Sequence, residues 1–371
     1  MSRLPLKLYI GATRQNDGKT SVSLGLLHAL GSRFGSLGYI KPVGQHFLEV
    51  AGDRIDKDVV LMQEIYGLGD TLPDMSPVAI PRGFTENYIK EPYRDKLHDR
   101  VKTCFERVAL NKDMVLIEGT GHAGVGSVFD LSNAEVARLL GAKAIIVSLG
   151  GVGKPIDEIM LNKAMFDAYG VEILGVIINK VRPDKYNKIS ELVRERLGQQ
   201  GLRLLGVIPF DQVLSIPTLR EIIWAIRGDL ISGEAHIDIQ AGRYVVGAMP
   251  LSTALDYFRG RYLLITPGNR EDLIMASLTH ALTEDQSDTD LTGIILTGGI
   301  LPHPNILRLI KKTGYPLVVV KEDTYSITSK ISQLQFKVKP ESRDKVQETQ
   351  ELIKKHVDTK QIIDLLQKRS R

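Results

Sequence analysis

The chain has 371 residues, of which 43% are hydrophobic and 25% charged, with a formal net charge of +4. That composition belongs to a globular protein of two or three domains, and the charge excess is too small over this length to point to nucleic acid. The single cysteine, Cys104, excludes an internal disulfide and a cysteine-ligated zinc site. No apolar run approaches the roughly 18 residues of a membrane span, and the apolar stretch in MSRLPLKLYIG is too short for a secretory signal. The expectation is a cytoplasmic protein with neither a nucleic-acid nor a membrane partner.

The first strand-like run is KLYIGAT (7–13). A polar, Gly-containing loop and the helical pattern TSVSLGLLHAL (20–30) follow it. Further runs are SLGYIKPV (36–43), DMVLIEGT (113–120), AKAIIVSL (142–149), ILGVIINK (173–180) and LLGVIP (204–209). Each is short, rich in Ile or Val, and closed by Gly, Pro or a polar residue. A helical pattern, IDEIMLNKAMFDAYG (156–170), lies between two of them, and Cys104 sits in an amphipathic helical stretch that makes it a buried structural residue. Strands apolar on both faces, alternating with helices, predict an α/β fold with a parallel sheet and helices on both of its faces. The polar, Gly-interrupted stretch after Arg227 predicts a linker over 227–242. A second, smaller α/β domain is expected over 243–335. The tail, 336–371, places apolar residues at Val346, Leu352, Ile353, Val357, Ile362, Ile363, Leu365 and Leu366, a near-helical spacing that reads first as a packing helix and second as a partner-binding one.

GATRQNDGKTS, Gly11 to Ser21, ends as a phosphate-binding loop does but begins irregularly. The pattern G-x-x-x-x-G-K-[ST] asks for glycine where Thr13 stands. The strand–loop–helix context nevertheless suits a nucleoside triphosphate. Backbone N–H groups at the helix start face the phosphates, and the helix dipole favours their charge. Lys19 supplies a cation for the β- and γ-phosphates, and the Thr20 hydroxyl a ligand for Mg2+. Thr13, Asn16, Asp17, Gly18 and Ser21 complete the cradle. Magnesium needs more oxygens. Glu118, at the end of MVLIEG, is the first candidate. Asp58 is the second, with a first-turn or capping role in the next helix as its alternative. Lys41 closes the second strand, where ligands of such sheets gather, and either holds a phosphate or carboxylate or is a solvated strand-end charge. Asn179 offers a paired donor and acceptor that suit an adenine edge, or a turn.

ATRQNDGKTSVSLGLL, YIKPVGQ, Asp58, IEGTG and GVIINKV occur in the order and spacing of dethiobiotin synthetase. The first 226 residues resemble more closely the dethiobiotin synthetase-like N-terminal region of long phosphate acetyltransferases, through EGTGHAGVGSVFDLSNA and LLGVIPFDQVLSIPTLREI. Val246 to about Ser329 resembles the DRTGG domain that follows there. The resemblance implies ATP and Mg2+ as cofactors, with Thr20, Asp58 and Glu118 as metal ligands, Asn179 on the adenine side, and Lys41 facing substrate and phosphate. It places Gly119, Thr120 and His122 on the substrate side. His122 departs from the Gly-rich synthetase loop and either contacts substrate or orders the loop. Arg14 falls where related ATPases carry a signature lysine and either serves the γ-phosphate as an electrophile or faces solvent.

Three functional expectations follow: an ATP-binding regulator whose second domain senses an effector or forms a homodimer or higher homo-oligomer, an ATP-dependent ligase or carboxylase acting on a small acid or amine, and a nucleotide-binding subunit that docks on a separate acetyltransferase. Because the chain ends soon after the DRTGG-like region, it is not expected to transfer acetyl groups by itself.

Overall fold

Among the described residues the first part of the chain forms ten strands, β1 (Leu6–Ala12), β2 (Leu37–Ile40), β3 (Val43–Gly44), β4 (Phe47–Val50), β5 (Asp53–Asp56), β6 (Val78–Ala79), β7 (Met114–Glu118), β8 (Lys143–Leu149), β9 (Ile173–Val181) and β10 (Leu204–Pro209), of which the six apolar runs supply β1, β2, β7, β8, β9 and β10. Six of them make one sheet in the order β10-β9-β8-β1-β7-β2, every neighbouring pair parallel. β3 pairs with β6, and β4 with β5, as small separate ladders. The computed structural model describes residues 4–211, 214, 216–283, 289–333 and 342–368. The chain divides into a unit of Met1–Asp211 with Val338–Arg371 and a unit of Gln212–Lys337.

In the first unit β1 is central, and β7 is fully buried along its length. Two helices matter most for the site: α1 (Lys19–Gly31), directly after β1, and α2 (Lys57–Tyr66). α1 buries Val22, Leu24, Leu26, Leu27 and Leu30, which lie on more than one face of the helix. The reason is a second covering layer. The helix Arg343–His356 packs along α1, and Ile353 lies so close that a Cβ on Gly25 would come within 2.2 Å of its Cγ1. Ile353, Val357, Ile362, Leu365 and Leu366 join the first unit's core. The tail is therefore a packing element of the first unit rather than an appendage after the second. Cys104 is buried in the helix Arg94–Ala109, and burial pushes its thiol pKa up.

The second unit holds β11 (Asp229–Ser232), β12 (Arg243–Val246), β13 (Gly260–Pro267), β14 (Thr289–Thr297) and β15 (Leu317–Val319) in the order β11-β15-β14-β13-β12. β12 to β15 are parallel and β11 is antiparallel to β15. Alternation along β13 explains the layers. Leu263 and Ile265 pack with Leu219, Ile222, Ile327 and Ile331, whereas Tyr262 and Leu264 pack on the other face with Ile274, Leu278 and Ile310.

Two boundaries change. The range 227–242, expected as a linker, contains the edge strand β11, and its Ile237 and Ala241 are core residues. Helix Leu219–Ile226, assigned by sequence to the first domain, belongs to the second unit and is closed by a capping box between Thr218 and Glu221. Polar spacing concealed β11, because an antiparallel edge strand needs only one apolar face. The expected boundary at 335–336 lies outside the described residues.

The turns after β13 and β14 use glycine for two reasons, close approach and a left-handed backbone. A Cβ on Gly268 would come within 1.8 Å of the Ile300 carbonyl oxygen, and Gly298 and Gly299 adopt φ of +76° and +65°.

Candidate functional site

The loop between β1 and α1 is held by its own polar residues. Thr13, in place of the expected glycine, is buried. Its hydroxyl donates to Asp17 Oδ2 at 2.6 Å and lies 3.1 Å from Ser148 Oγ on β8. Asp17 Oδ2 also accepts from the Arg14 amide at 2.7 Å. Thr13 thereby clamps the start of the loop to its end, which a glycine could not do. Burial pushes the Asp17 carboxyl up, against the Thr13 hydroxyl, the Arg14 amide and the charges of Lys19 and Arg14.

Asn16 has φ +69°, and Gly18, the residue preceding α1, has φ +101°. Gly18 needs that left-handed conformation and the space as well, since a Cβ there would meet Asn179 Nδ2 at 2.1 Å. Asn179 is buried and donates to the Asp17 carbonyl at 2.9 Å, while its Oδ1 accepts from the Lys180 amide. The residue expected at an adenine edge thus holds the back of the loop. Lys180 Nζ donates to the Asn16 carbonyl at 3.0 Å.

Lys19 is buried, with Nζ 3.3 Å from the Gly121 carbonyl and 3.4 Å from that of Arg14. It therefore lies between the loop and the turn after β7. Arg14, half-exposed, is ion-paired through Nε to Glu158 Oε2 at 2.7 Å. Ser21 is half-buried in the first turn of α1, which has no acidic residue to neutralise the positive end of its dipole.

Lys41, Asp56, Asp58 and Glu118 meet beside Thr20. The Thr20 hydroxyl donates to Glu118 Oε1 at 2.9 Å, and the Tyr39 hydroxyl donates to Glu118 Oε2 at 3.0 Å. Lys41 is buried, not solvated. It bonds to Asp58 Oδ2 and lies 3.1 Å from Asp56 Oδ1 and 3.7 Å from Glu118 Oε1. Asp56, Asp58 and Glu118 are each at most 2% exposed. Burial pulls the Lys41 ammonium down, but Asp58, Glu118 and Asp56 outweigh it, so its pKa is raised overall. Burial pushes the Glu118 carboxyl up, while Lys41 opposes the shift.

Asp56 escaped the sequence reading as an individual residue. It caps α2, accepting from the Asp58 amide at 2.9 Å, which leaves Asp58 in the first turn with its carboxylate turned to Lys41. The Oδ2 atom of Asp56 is buried without a hydrogen-bond partner.

Asn133 also escaped it. This buried amide accepts from the Tyr9 hydroxyl at 2.7 Å and the Thr120 amide at 2.9 Å, and donates to the carbonyls of Thr120 at 2.7 Å and His122 at 2.5 Å. It moulds the turn after Glu118. Gly119 sits against it, since a Cβ there would come within 2.7 Å of Asn133 Oδ1. The Thr120 hydroxyl donates to the Val43 carbonyl. The exposed His122 accepts from the Gly124 amide through Nδ1 at 3.2 Å, a loop-ordering bond.

The oxygens of Thr20, Asp58 and Glu118, all hard donors, suit a magnesium ion. With all four groups ionised, one ammonium against three carboxylates leaves two negative charges uncompensated, the charge a divalent cation supplies. Among the described residues no group of three or more His, Cys, Asp or Glu side chains is arranged to hold a metal as it stands, and here the Lys41 ammonium lies between the carboxylates.

A parallel sheet whose first strand runs through a Gly-Lys-Thr loop into a helix, with an acid at the end of the adjacent strand, defines a P-loop protein. An AAA domain model (AAA_26) matches residues 7–218, and the chain belongs to that family. A DRTGG domain model matches residues 221–334. The phosphate acetyltransferase of Nitratidesulfovibrio vulgaris is 26% identical over 364 residues, which are 96% of this chain and 51% of that protein. The phosphate acetyltransferase of a Synechocystis species is 25% identical over 97% of this chain and 51% of its own. The chain spans about half the length of these relatives, consistent with a match to their N-terminal part. A putative plasmid partition protein of Borrelia burgdorferi bound to AMPPNP is similar at 14% identity and a TM-score of 0.37, covering 56% of this chain and 86% of its own, a likeness too distant to weigh on function. No helix among the described residues is long and apolar enough to cross a membrane.

Proposed function

We propose that the first unit binds MgATP in the loop Thr13–Ser21 and that the chain acts as a metabolic regulator or accessory protein, with the DRTGG domain as its effector-sensing and self-associating module. The observation that carries this reading is the 2.9 Å contact of Thr20, the residue after Lys19 at the start of a thirteen-residue helix, with Glu118. The hydroxyl and the acid that would share a cation are adjacent, and the lysine that would neutralise phosphate stands beside them. Bound magnesium would screen the phosphate oxygens and orient them. Lys19 would supply charge to the β- and γ-phosphates, the α1 amides would donate to them, and Asn179 and Thr13 would hold the loop in shape.

The geometry favours a regulator over a ligase of the dethiobiotin synthetase type. A ligase of that type needs Lys41 turned to its substrate, but the ammonium is enclosed by Asp56, Asp58 and Glu118. Arg14 is likewise engaged, by Glu158. The test is ADP release by the purified chain with MgATP, alone and with a panel of small carboxylic acids and amines. Turnover should stay near background throughout; stimulation by one of them would support the ligase reading instead. Co-purification with an acetyltransferase would support the docking-subunit reading.

A further inference from the structure

The acid cluster is built around an ammonium. Lys41 bonds to Asp58 and lies 3.7 Å from the same Glu118 oxygen that accepts from Thr20. A divalent cation taking its oxygens from Thr20, Asp58 and Glu118 must take two of these groups from Lys41. The ammonium cannot leave for water cheaply, because its side chain is 7% exposed. One carboxylate of the cluster lies outside the proposed metal set, and that is Asp56. Its Oδ1 is 3.1 Å from Lys41 Nζ, and its Oδ2 has no hydrogen-bond partner, so it has capacity to take the ammonium fully. Capping of α2 fixes Asp56 in place.

We propose that Lys41 is a displaceable internal counter-ion. A divalent cation entering the oxygens of Thr20, Asp58 and Glu118 shifts the ammonium off Asp58 and Glu118 and onto Asp56. This rests on the metal site proposed above and adds how that site is kept charge-balanced and selective. The ammonium competes with the metal for the two carboxylates, so the metal binds weakly until bound triphosphate supplies further oxygens. Asp56 sets the strength of that competition by giving the displaced ammonium its other partner. Metal loading is thereby coupled to nucleotide, and an ADP-like or empty loop holds metal poorly. No covalent bond changes; only ion pairs are exchanged.

The experiment is Mn2+ binding to the full chain without nucleotide, followed by electron paramagnetic resonance of the free ion, for the wild type, Lys41→Gln, Asp56→Asn and the double variant. Asn retains the capping oxygen at position 56. Lys41→Gln should bind Mn2+ at least about tenfold more tightly than wild type, about 1.4 kcal/mol. Asp56→Asn should bind several-fold more weakly, and this loss should largely vanish in the Lys41→Gln background, because Asp56 acts through Lys41. The Mn2+-induced rise in unfolding temperature should rank the variants in the same order, which keeps the test readable if Lys41→Gln folds poorly without metal. Wild-type binding with no gain in Lys41→Gln, or an Asp56→Asn loss unchanged in the double variant, would overturn the exchange alone. Mn2+ binding by none of the four would overturn the metal site and the exchange together.

Discussion

Gly25 of α1 and Ile353 of the C-terminal helix meet at a backbone-to-side-chain contact so tight that a Cβ on Gly25 would come within 2.2 Å of Ile353 Cγ1 and 2.4 Å of its Cβ. The last helices thus brace the helix that begins with Lys19 and Thr20. Gln350 Nε2 extends the brace to the Tyr66 hydroxyl at 3.1 Å, which itself donates to the Leu24 carbonyl at 2.6 Å.

Replacing glycine by alanine inside a helix ordinarily gains up to about 1 kcal/mol. At Gly25 the crowding against Ile353 should outweigh that gain, and Gly25→Ala should lose about 1–3 kcal/mol. Ile353→Ala should lose about 2–5 kcal/mol through its cavity. Their combination should lose clearly less than the sum, since Ile353→Ala vacates the room that the methyl of Gly25→Ala takes. Urea unfolding of the four proteins measures this, and additive losses would show that the two residues do not share the contact.

Asn133 spends its amide on four bonds to Tyr9, Thr120 and His122. Asn133→Ala leaves buried backbone groups unpaired, so we expect a loss of about 1–3 kcal/mol. Limited proteolysis should show new cleavage between Gly119 and Gly126. Protection equal to wild type would mean that the turn is shaped by other contacts.

His356 gives the tail a pH dependence. Tyr186 donates its hydroxyl hydrogen to the Val207 carbonyl at 2.8 Å, so its oxygen accepts from His356 Nδ1 at 3.0 Å, which assigns the proton of the neutral ring to Nδ1. Burial first, and the Lys355 charge second, hold the His356 pKa below its ordinary 6.5. The unfolded chain therefore takes up a proton at higher pH than the folded one. The stability is present above about pH 6.5 and is lost as pH falls through that value toward the folded pKa. Between pH 7 and pH 5 the unfolding temperature should fall more for wild type than for His356→Gln. Parallel curves would remove His356 as the cause.

The six-stranded sheet was legible because every strand is an apolar run ended by a breaker, and burial on both faces needs just that pattern. The loop was legible from Gly18-Lys19-Thr20 in its strand–helix frame. Glu118 and Asp58 were legible as acids at the ends of a strand and at the start of a helix, and they do meet Thr20 and Lys41, respectively. The structure adds what no spacing carries. Thr13 looked like a defect and is a clamp. Lys41 looked like a charge facing ligand and is enclosed. Asn133 lies in a stretch quoted for its overall resemblance, but an amide that shapes a loop by tertiary hydrogen bonds leaves no periodic trace. Asp56 was overshadowed by Asp58, because cap and first-turn acid differ by a local backbone angle rather than by residue type. The docking of the tail on α1 was invisible for a different reason. Apolar spacing in a helix says that a face is buried, and not against which element.

The central claim is that the loop Thr13–Ser21 binds MgATP through Lys19 and a metal held by Thr20, Asp58 and Glu118. Isothermal titration of ATP into the full chain, with Mg2+ and with EDTA, tests it most directly when repeated on Lys19→Ala. The account predicts one site per chain, weakened by EDTA and weakened at least about a hundredfold, or about 2.7 kcal/mol, by Lys19→Ala, with the unfolding temperature of the variant close to wild type. ATP affinity unchanged in Lys19→Ala, or no heat of binding in the wild type, would contradict it.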